Sequence, residues 1–242
     1  PGDDLRFLDW KIYGRLERMF MKLFLEEEDL RVQILLDASR SMAFGEPEKI
    51  LYGKRVAAAL GYICLSRMDS LTVHAFSDRV VASFGPMRGK LNAARYFSFL
   101  EGIEAASGTS LLKSFKASAC GGRGRGIAVI ISDFYDFAGF EEALKQLFAA
   151  DYEVLVIHVL SRQELEPDYQ GDIRLQDCEL DLTTDVSMGK NVRDLYARTM
   201  TAFCNGLKSH VVGRGGSYLL ASTENPFERL VLDILRRRGI VR

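Results

Sequence analysis

Histidine and cysteine are scarce in this 242-residue sequence, three and four residues respectively, and neither type clusters. Cys64, Cys120, Cys178 and Cys204 form no C-x-x-C pair, which argues against structural zinc or a redox dithiol. Reduced thiols in a cytoplasmic chain are the expectation. His74, His158 and His210 have no acid or thiol pattern beside them, and no Gly-x-Ser-x-Gly elbow occurs, so the usual hydrolase nucleophiles are missing. No apolar run reaches the roughly 18–20 residues that span a bilayer, and there is no signal-peptide pattern, so no membrane segment is expected. An excess of one charge is absent too: 32 Lys+Arg face 33 Asp+Glu, and no nucleic-acid partner is expected.

Phosphate-binding loops are also wanting. The stretch 85–91, Gly-Pro-Met-Arg-Gly-Lys-Leu, has three residues between its glycines and no Ser or Thr after its lysine; a Walker A loop needs four residues and that hydroxyl. The glycine-rich stretch 121–126 precedes a strand rather than following one, which is wrong for a dinucleotide fingerprint. It reads as a flexible turn, with Arg123 and Arg125 available to an acidic partner. No nucleotide is expected to bind.

What the chain does have is apolar mass: 48% hydrophobic and 10% aromatic residues, enough for one elaborated α/β domain. Its organising stretch is 30–42, an apolar run rich in Val, Ile and Leu that ends in Asp37-Ala38-Ser39-Arg40-Ser41. Such a run fits a strand buried on both faces of a parallel sheet. The polar cluster then lies at the strand's carboxyl end, where open α/β sheets bind ligands. Asp-x-Ser-x-Ser gathers hard oxygens of the kind Mg²⁺ takes. The same residues at a strand-to-helix junction also cap helices, and the pentapeptide alone leaves both readings open.

Similar reasoning orders the rest of the chain. Ile50, Leu51, Val56, Leu60 and Ile63 predict a helix over 47–67. Residues 71–76 and 80–84 predict a strand and its hairpin partner; 90–100 predict a helix, and a short helix follows Ser107-Gly108-Thr109-Ser110. Residues 127–131 form a second buried run, which stops at Ser132-Asp133-Phe134-Tyr135-Asp136. Phe140, Ala143, Leu144, Leu147 and Phe148 predict a helix, 154–160 a strand, 192–207 a long helix and 217–221 a last strand. A final helix follows Asn225 and Pro226, with a stripe of Phe227, Leu230, Val231, Ile234 and Leu235 and Gly239 to end it. Residues 1–29, with Trp10, Ile12 and Phe20 among basic side chains, read as an extension or hairpin covering a sheet edge. The main domain is expected over 30–242, with a hairpin insertion around 171–187. The chain opens on Pro1 rather than Met, so residues upstream are expected. Strands alternating with helices through short connections predict an α/β fold, a mostly parallel sheet with helices on both faces.

Three loops would then bring oxygens to one sheet edge: Asp37/Ser39/Ser41, Thr109 and Asp133. Two carboxylates balance a divalent cation, three hydroxyls add neutral oxygens, and a coordination position stays open for water or a partner's carboxylate. These loops resemble the metal-ion-dependent adhesion site of von Willebrand factor type A domains. With the opening Gly2-Asp3-Asp4-Leu5-Arg6-Phe7-Leu8-Asp9-Trp10 they are similar, from Gly2 to the final helix, to a bacterial family designated domain of unknown function fifty-eight, often encoded beside MoxR-type AAA+ ATPases. The resemblance implies a three-layer, Rossmann-like, six-stranded sheet with one antiparallel edge strand at 80–84. It implies that Ser39, Ser41 and Thr109 ligate Mg²⁺ or Mn²⁺, with Asp37 and Asp133 direct or through water. It also implies a non-catalytic interaction module, working with a MoxR-type ATPase or a carboxylate-bearing client in assembly or maturation of protein complexes. Phe134-Tyr135 departs from the adhesion-site pattern, which has a small residue there, and is expected to add bulk beside the ion. The competing reading is a Mg²⁺-dependent phosphohydrolase using Asp37 with Asp133 or Asp136. Such enzymes commonly carry a second carboxylate two residues after the first, where this chain has Ser39, and a lysine at a neighbouring loop.

Overall fold

A computed structural model describes residues 30–106, 108, 110–119, 126–136, 139–150, 152–168, 171–176 and 183–237. The expected extension at 1–29, Thr109, the turn at 121–125 and Gly239 lie outside the described residues.

The strands, in chain order, are Arg31–Asp37 (β1), Ser70–Phe76 (β2), Val80–Met87 (β3), Gly126–Ser132 (β4), Tyr152–Leu160 (β5), Gly171–Gln176 (β6), Thr183–Met188 (β7) and Ser217–Ser222 (β8). Six of them form one sheet in the order β3-β2-β1-β4-β5-β8, and β6 pairs with β7 separately in antiparallel register. Within the six-stranded sheet only β2 and β3 are antiparallel. The edge strand β3 runs past the expected end to Met87 and takes in Gly85 and Pro86, which an edge tolerates because one side of its ladder is unpaired. That pairing is where the Walker-like glycines begin.

Helices cover both faces: Lys49–Ser66 (α1), Ala93–Glu101 (α2), Leu111–Ala119 (α3), Glu141–Ala149 (α4), Arg162–Leu165 (α5), Lys190–Val212 (α6) and Phe227–Arg237 (α7). Because side chains alternate across a strand, β1 feeds both layers. Ile34 and Leu36 pack with α1, α2 and α7, while Leu35 packs with α3, α4 and α6. The sheet and its two layers therefore form a three-layer, Rossmann-like α/β architecture, as the strand and helix alternation predicts.

Two local expectations need correction. Leu51 is 44% exposed, and Tyr52 turns inward in its place. The inner stripe of α1 runs through Gly53 and Gly61, where an added Cβ would meet Leu36 at 3.0 Å and the Tyr96 ring at 2.5 Å. Hydrophobic spacing misses a stripe made partly of glycine. The helix expected over 90–100 begins as a single 3-10 turn, Lys90–Asn92, before α2 takes over. Among the described residues no helix is long and apolar enough to cross a membrane.

Candidate functional site

The carboxyl ends of β1, β4 and β5 lie side by side, and each delivers a polar residue to that edge. β1 stops on Asp37, which is fully buried. Its Oδ1 accepts the Ser39 amide at 2.8 Å, a turn of the Asx type. Its Oδ2 accepts the Ser132 hydroxyl at 2.5 Å, from the last residue of β4. Burial and, after it, the negative charge of Asp133 push the Asp37 carboxyl up to about 7, against the opposing pull of its bonds to Ser132 and Ser39.

The next two members of the pentapeptide meet each other: Ser39 Oγ and Ser41 Oγ are 3.0 Å apart and both residues are buried. Ser39 begins the 3-10 turn Arg40–Ala43 but makes no side-chain cap bond. The capping reading therefore fails for this hydroxyl. The two hydroxyls are hydrogen-bonded to each other. Their separation also matches the spacing of about 3.0 Å between adjacent oxygens of an octahedron with a radius of about 2.1 Å, so the pair is compatible with two neighbouring ligands of a Mg²⁺-sized ion. The third loop runs alongside: Ala106 bridges Ser39, its amide donating to the Ala38 carbonyl at 2.7 Å. Ser110 is tied to the edge by its amide on the Ser77 carbonyl at 3.0 Å. Thr109 between them is outside the described residues.

Asp133 follows β4 and is also fully buried. Its Oδ1 accepts the Tyr135 amide at 3.1 Å. Phe134 between them takes φ +59°, a left-handed conformation uncommon for a bulky residue, and its amide donates to Ser132 Oγ at 2.8 Å. The turn carries the Phe134 ring into the core, edge-on to Phe140 and His158. The expected bulk beside the ion is thus half absent: Phe134 is 1% exposed and only Tyr135 stays near the edge. His158 Nε2 lies 3.1 Å from the Asp133 carbonyl. A carbonyl only accepts, so Nε2 carries the hydrogen and Nδ1 accepts the Tyr218 hydroxyl at 2.8 Å. Burial draws the His158 pKa down to about 4, which keeps the ring neutral near pH 7. Asp136 Oδ2 accepts the Leu111 amide at 2.8 Å, at the start of α3.

Two residues that sequence reasoning missed complete the cluster. Lys49, with no exposed surface, donates from Nζ to Asp133 Oδ2 at 2.7 Å and to Glu164 Oε1 at 2.5 Å. Burial opposes its charge, but the two carboxylates outweigh that and hold its pKa above the ordinary lysine value. The Tyr135 ring stands 5.0 Å from Nζ and the Phe44 ring 5.9 Å, within reach of a cation–π contact. Glu164 is fixed from behind by a capping box on α5, its Oε2 accepting the Ser161 amide at 2.7 Å and hydroxyl at 2.9 Å. Signals for both were present. Ser161-Arg162-Gln163-Glu164 is a capping-box pattern, and Lys49 opens an 18-residue helix, the end where a cation opposes the helix dipole. Gly45, at φ +101°, presses against the same corner: a Cβ there would lie 2.6 Å from Ser161 Cβ.

Of the five sequence-predicted residues, Asp37, Ser39, Ser41 and Asp133 come together at one edge. Among the described residues no three His, Cys, Asp or Glu side chains form a metal-holding group. A cation at this edge would take neutral oxygens from Ser39 and Ser41 and its charge balance from Asp37 and Asp133.

Similar proteins exist in sequence and in fold. An uncharacterized protein of Mycobacterium tuberculosis is 28% identical over 247 residues, covering 99% of this chain and 77% of its own length. Among solved structures, the conserved hypothetical protein BatB from Bacteroides thetaiotaomicron matches with a TM-score of 0.50 at 14% identity, over 87% of this chain and 99% of that one. An aerotolerance-related membrane protein from Bacteroides fragilis matches with a TM-score of 0.51 at 16% identity, over 86% and 99%. At those identities the structures speak for the fold alone. Residues 1–203 match the family described as "Protein of unknown function DUF58", and with the match spanning most of its length, the chain belongs to the DUF58 family.

Proposed function

We propose that this chain is a protein–protein interaction module of the von Willebrand factor A type, whose docking face is the carboxyl edge of the sheet and whose docking depends on a divalent cation. Mg²⁺ or Mn²⁺ would be held by Ser39, Ser41 and Thr109, with Asp37 and Asp133 direct or through water. The observation that carries this reading is the 3.0 Å Ser39–Ser41 hydroxyl pair beside two buried carboxylates. When bound, such an ion supplies an electrophilic position for a partner's carboxylate. The chain's own residues do the rest: Asp37 holds the turn that pairs the hydroxyls, and Ser132 ties that turn to β4.

A non-catalytic role is supported by Asp37 itself. Both its oxygens already accept bonds and it has no exposed surface, poor conditions for a nucleophile. The family resemblance in the motifs supports a MoxR-type AAA+ ATPase, or a client it remodels, as the partner bearing the carboxylate, with assembly or maturation of protein complexes as the setting.

Calorimetric titration of Mn²⁺ into the wild type and into the Ser39→Ala/Ser41→Ala double variant tests the reading. Binding is expected in the first and not in the second. Equal binding in both, or none in the wild type, would sink it.

A further inference from the structure

The ion pair at Lys49 is unusual in its stoichiometry. One buried ammonium faces two buried carboxylates, Asp133 and Glu164, and its two short contacts are to oxygens of different loops. The two partners are not equivalent. Glu164 is immobilised by the Ser161 amide and hydroxyl on its other oxygen, so its Oε1 is committed to Nζ. Asp133 belongs to the strand end that also carries Ser132, the hydroxyl partner of Asp37. Lys49 therefore joins the edge to a second, fixed anion that lies outside the sequence-predicted ligand set.

Charge counting gives this arrangement a purpose. Asp37, Asp133 and Glu164 against Lys49 make three acidic groups and one base in a buried cluster. Burying unbalanced charge is costly. If Lys49 keeps Glu164, that pair is neutral, and Asp37 and Asp133 together match one divalent ion. If no ion is present, Lys49 can serve Asp133 as well, so the second carboxylate is never left without a cation. Its position on the helix allows both: α1 starts at Lys49 itself, which sets the side chain at the helix end nearest the edge, and aromatic rings of Phe44 and Tyr135 stand near its ammonium.

We propose, on the metal-dependent reading above, that Lys49 is a built-in cation that holds Asp133 in the metal-free site and yields it to the divalent ion while remaining bound to Glu164. Lys49 is in this sense a positioning residue that sets the threshold of ion binding, and hence of docking. Glu164 is what makes the hand-over reversible, because it keeps the displaced ammonium neutralised in place.

Two variants of the full 242-residue chain test this with opposite signs, which general damage to the fold would not give. Mn²⁺ affinity is measured by calorimetry, and the melting temperature is followed with Mn²⁺ and with chelator. Lys49→Met removes the competitor. It is expected to melt below the wild type in chelator, yet to bind Mn²⁺ about tenfold or more tightly, the scale of one nearby unit charge, and to gain more from the ion on melting. Glu164→Gln leaves Asp133 as the only anion for Lys49 and is expected to weaken Mn²⁺ binding by a similar factor. If Lys49→Met does not fold, Glu164→Gln decides alone. Mn²⁺ affinity that is unchanged in both, or shifted the same way in both, overturns the role of Lys49 while wild-type binding through the serines keeps the ion reading intact. Absence of binding in the wild type and in Lys49→Met overturns both, and leaves Lys49 a structural counter-ion.

Discussion

The loops after β1 and β4 end the same way in sequence, an apolar strand stopping at an aspartate, yet they solve the burial of that aspartate differently. Asp37 and Asp133 are both without exposed surface. Asp37 receives a backbone amide and a serine hydroxyl, all neutral donors, and its carboxyl is pushed up to about 7. Asp133 receives an amide and the Lys49 ammonium. Hydrogen bonds satisfy lone pairs but do not cancel a charge in a low-dielectric interior. The β1 loop thus meets burial by keeping its carboxyl protonated to higher pH, and the β4 loop is one whose charge is already answered from within the chain.

The largest expected effect comes from undoing that answer. Lys49→Met leaves Asp133 and Glu164 buried without their cation, and in chelator it should cost about 3–5 kcal/mol, read from the urea midpoint. A loss under about 1 kcal/mol would mean that water or rearrangement replaces the ammonium, and the contrast between the two loops would collapse.

Next comes the pH dependence of the β1 loop. Asp37 holds its proton more tightly folded than unfolded, so its contribution favours the fold fully below the ordinary value of 3.8 and is lost as pH rises to about 7. In chelator, Asp37→Asn should therefore gain on the wild type by a few kcal/mol between about pH 4 and pH 7, with a constant gap above. A gap that does not change with pH would show that Asp37 ionises as freely as an exposed aspartate.

Gly45→Ala is expected to cost about 1–3 kcal/mol, because it combines a left-handed φ with a 2.6 Å approach to Ser161 Cβ. Since Ser161 holds Glu164, this change should also alter Mn²⁺ affinity, whereas a purely local strain would leave it unmoved. The smallest effect is Ser41→Ala: within about 1 kcal/mol in chelator, but with Mn²⁺ binding lost. Retained binding would take Ser41 out of the ligand set.

The element order was legible because the central strands β1, β4 and β5 carry long apolar runs and most helices carry a wide apolar stripe. The arrival of Asp37, Ser39, Ser41 and Asp133 at one edge followed from parallel strands ending together. Where glycines carry the stripe, as in α1, the same logic misplaced Leu51. The bulk expected from Phe134 was misplaced for another reason: a left-handed φ at that residue, which side-chain type argues against, turns the ring into the core.

By itself the sequence determined the α/β order, the hydroxyl-rich pentapeptide and the edge where it lies, because these depend on local pattern and on the period of the strands. Only the tertiary structure decided the charge of that edge. Lys49 and Asp133 are 84 residues apart, and Lys49 and Glu164 are 115 apart. No local period links them. Three different chain segments had to fold onto one corner before one ammonium could answer two buried carboxylates.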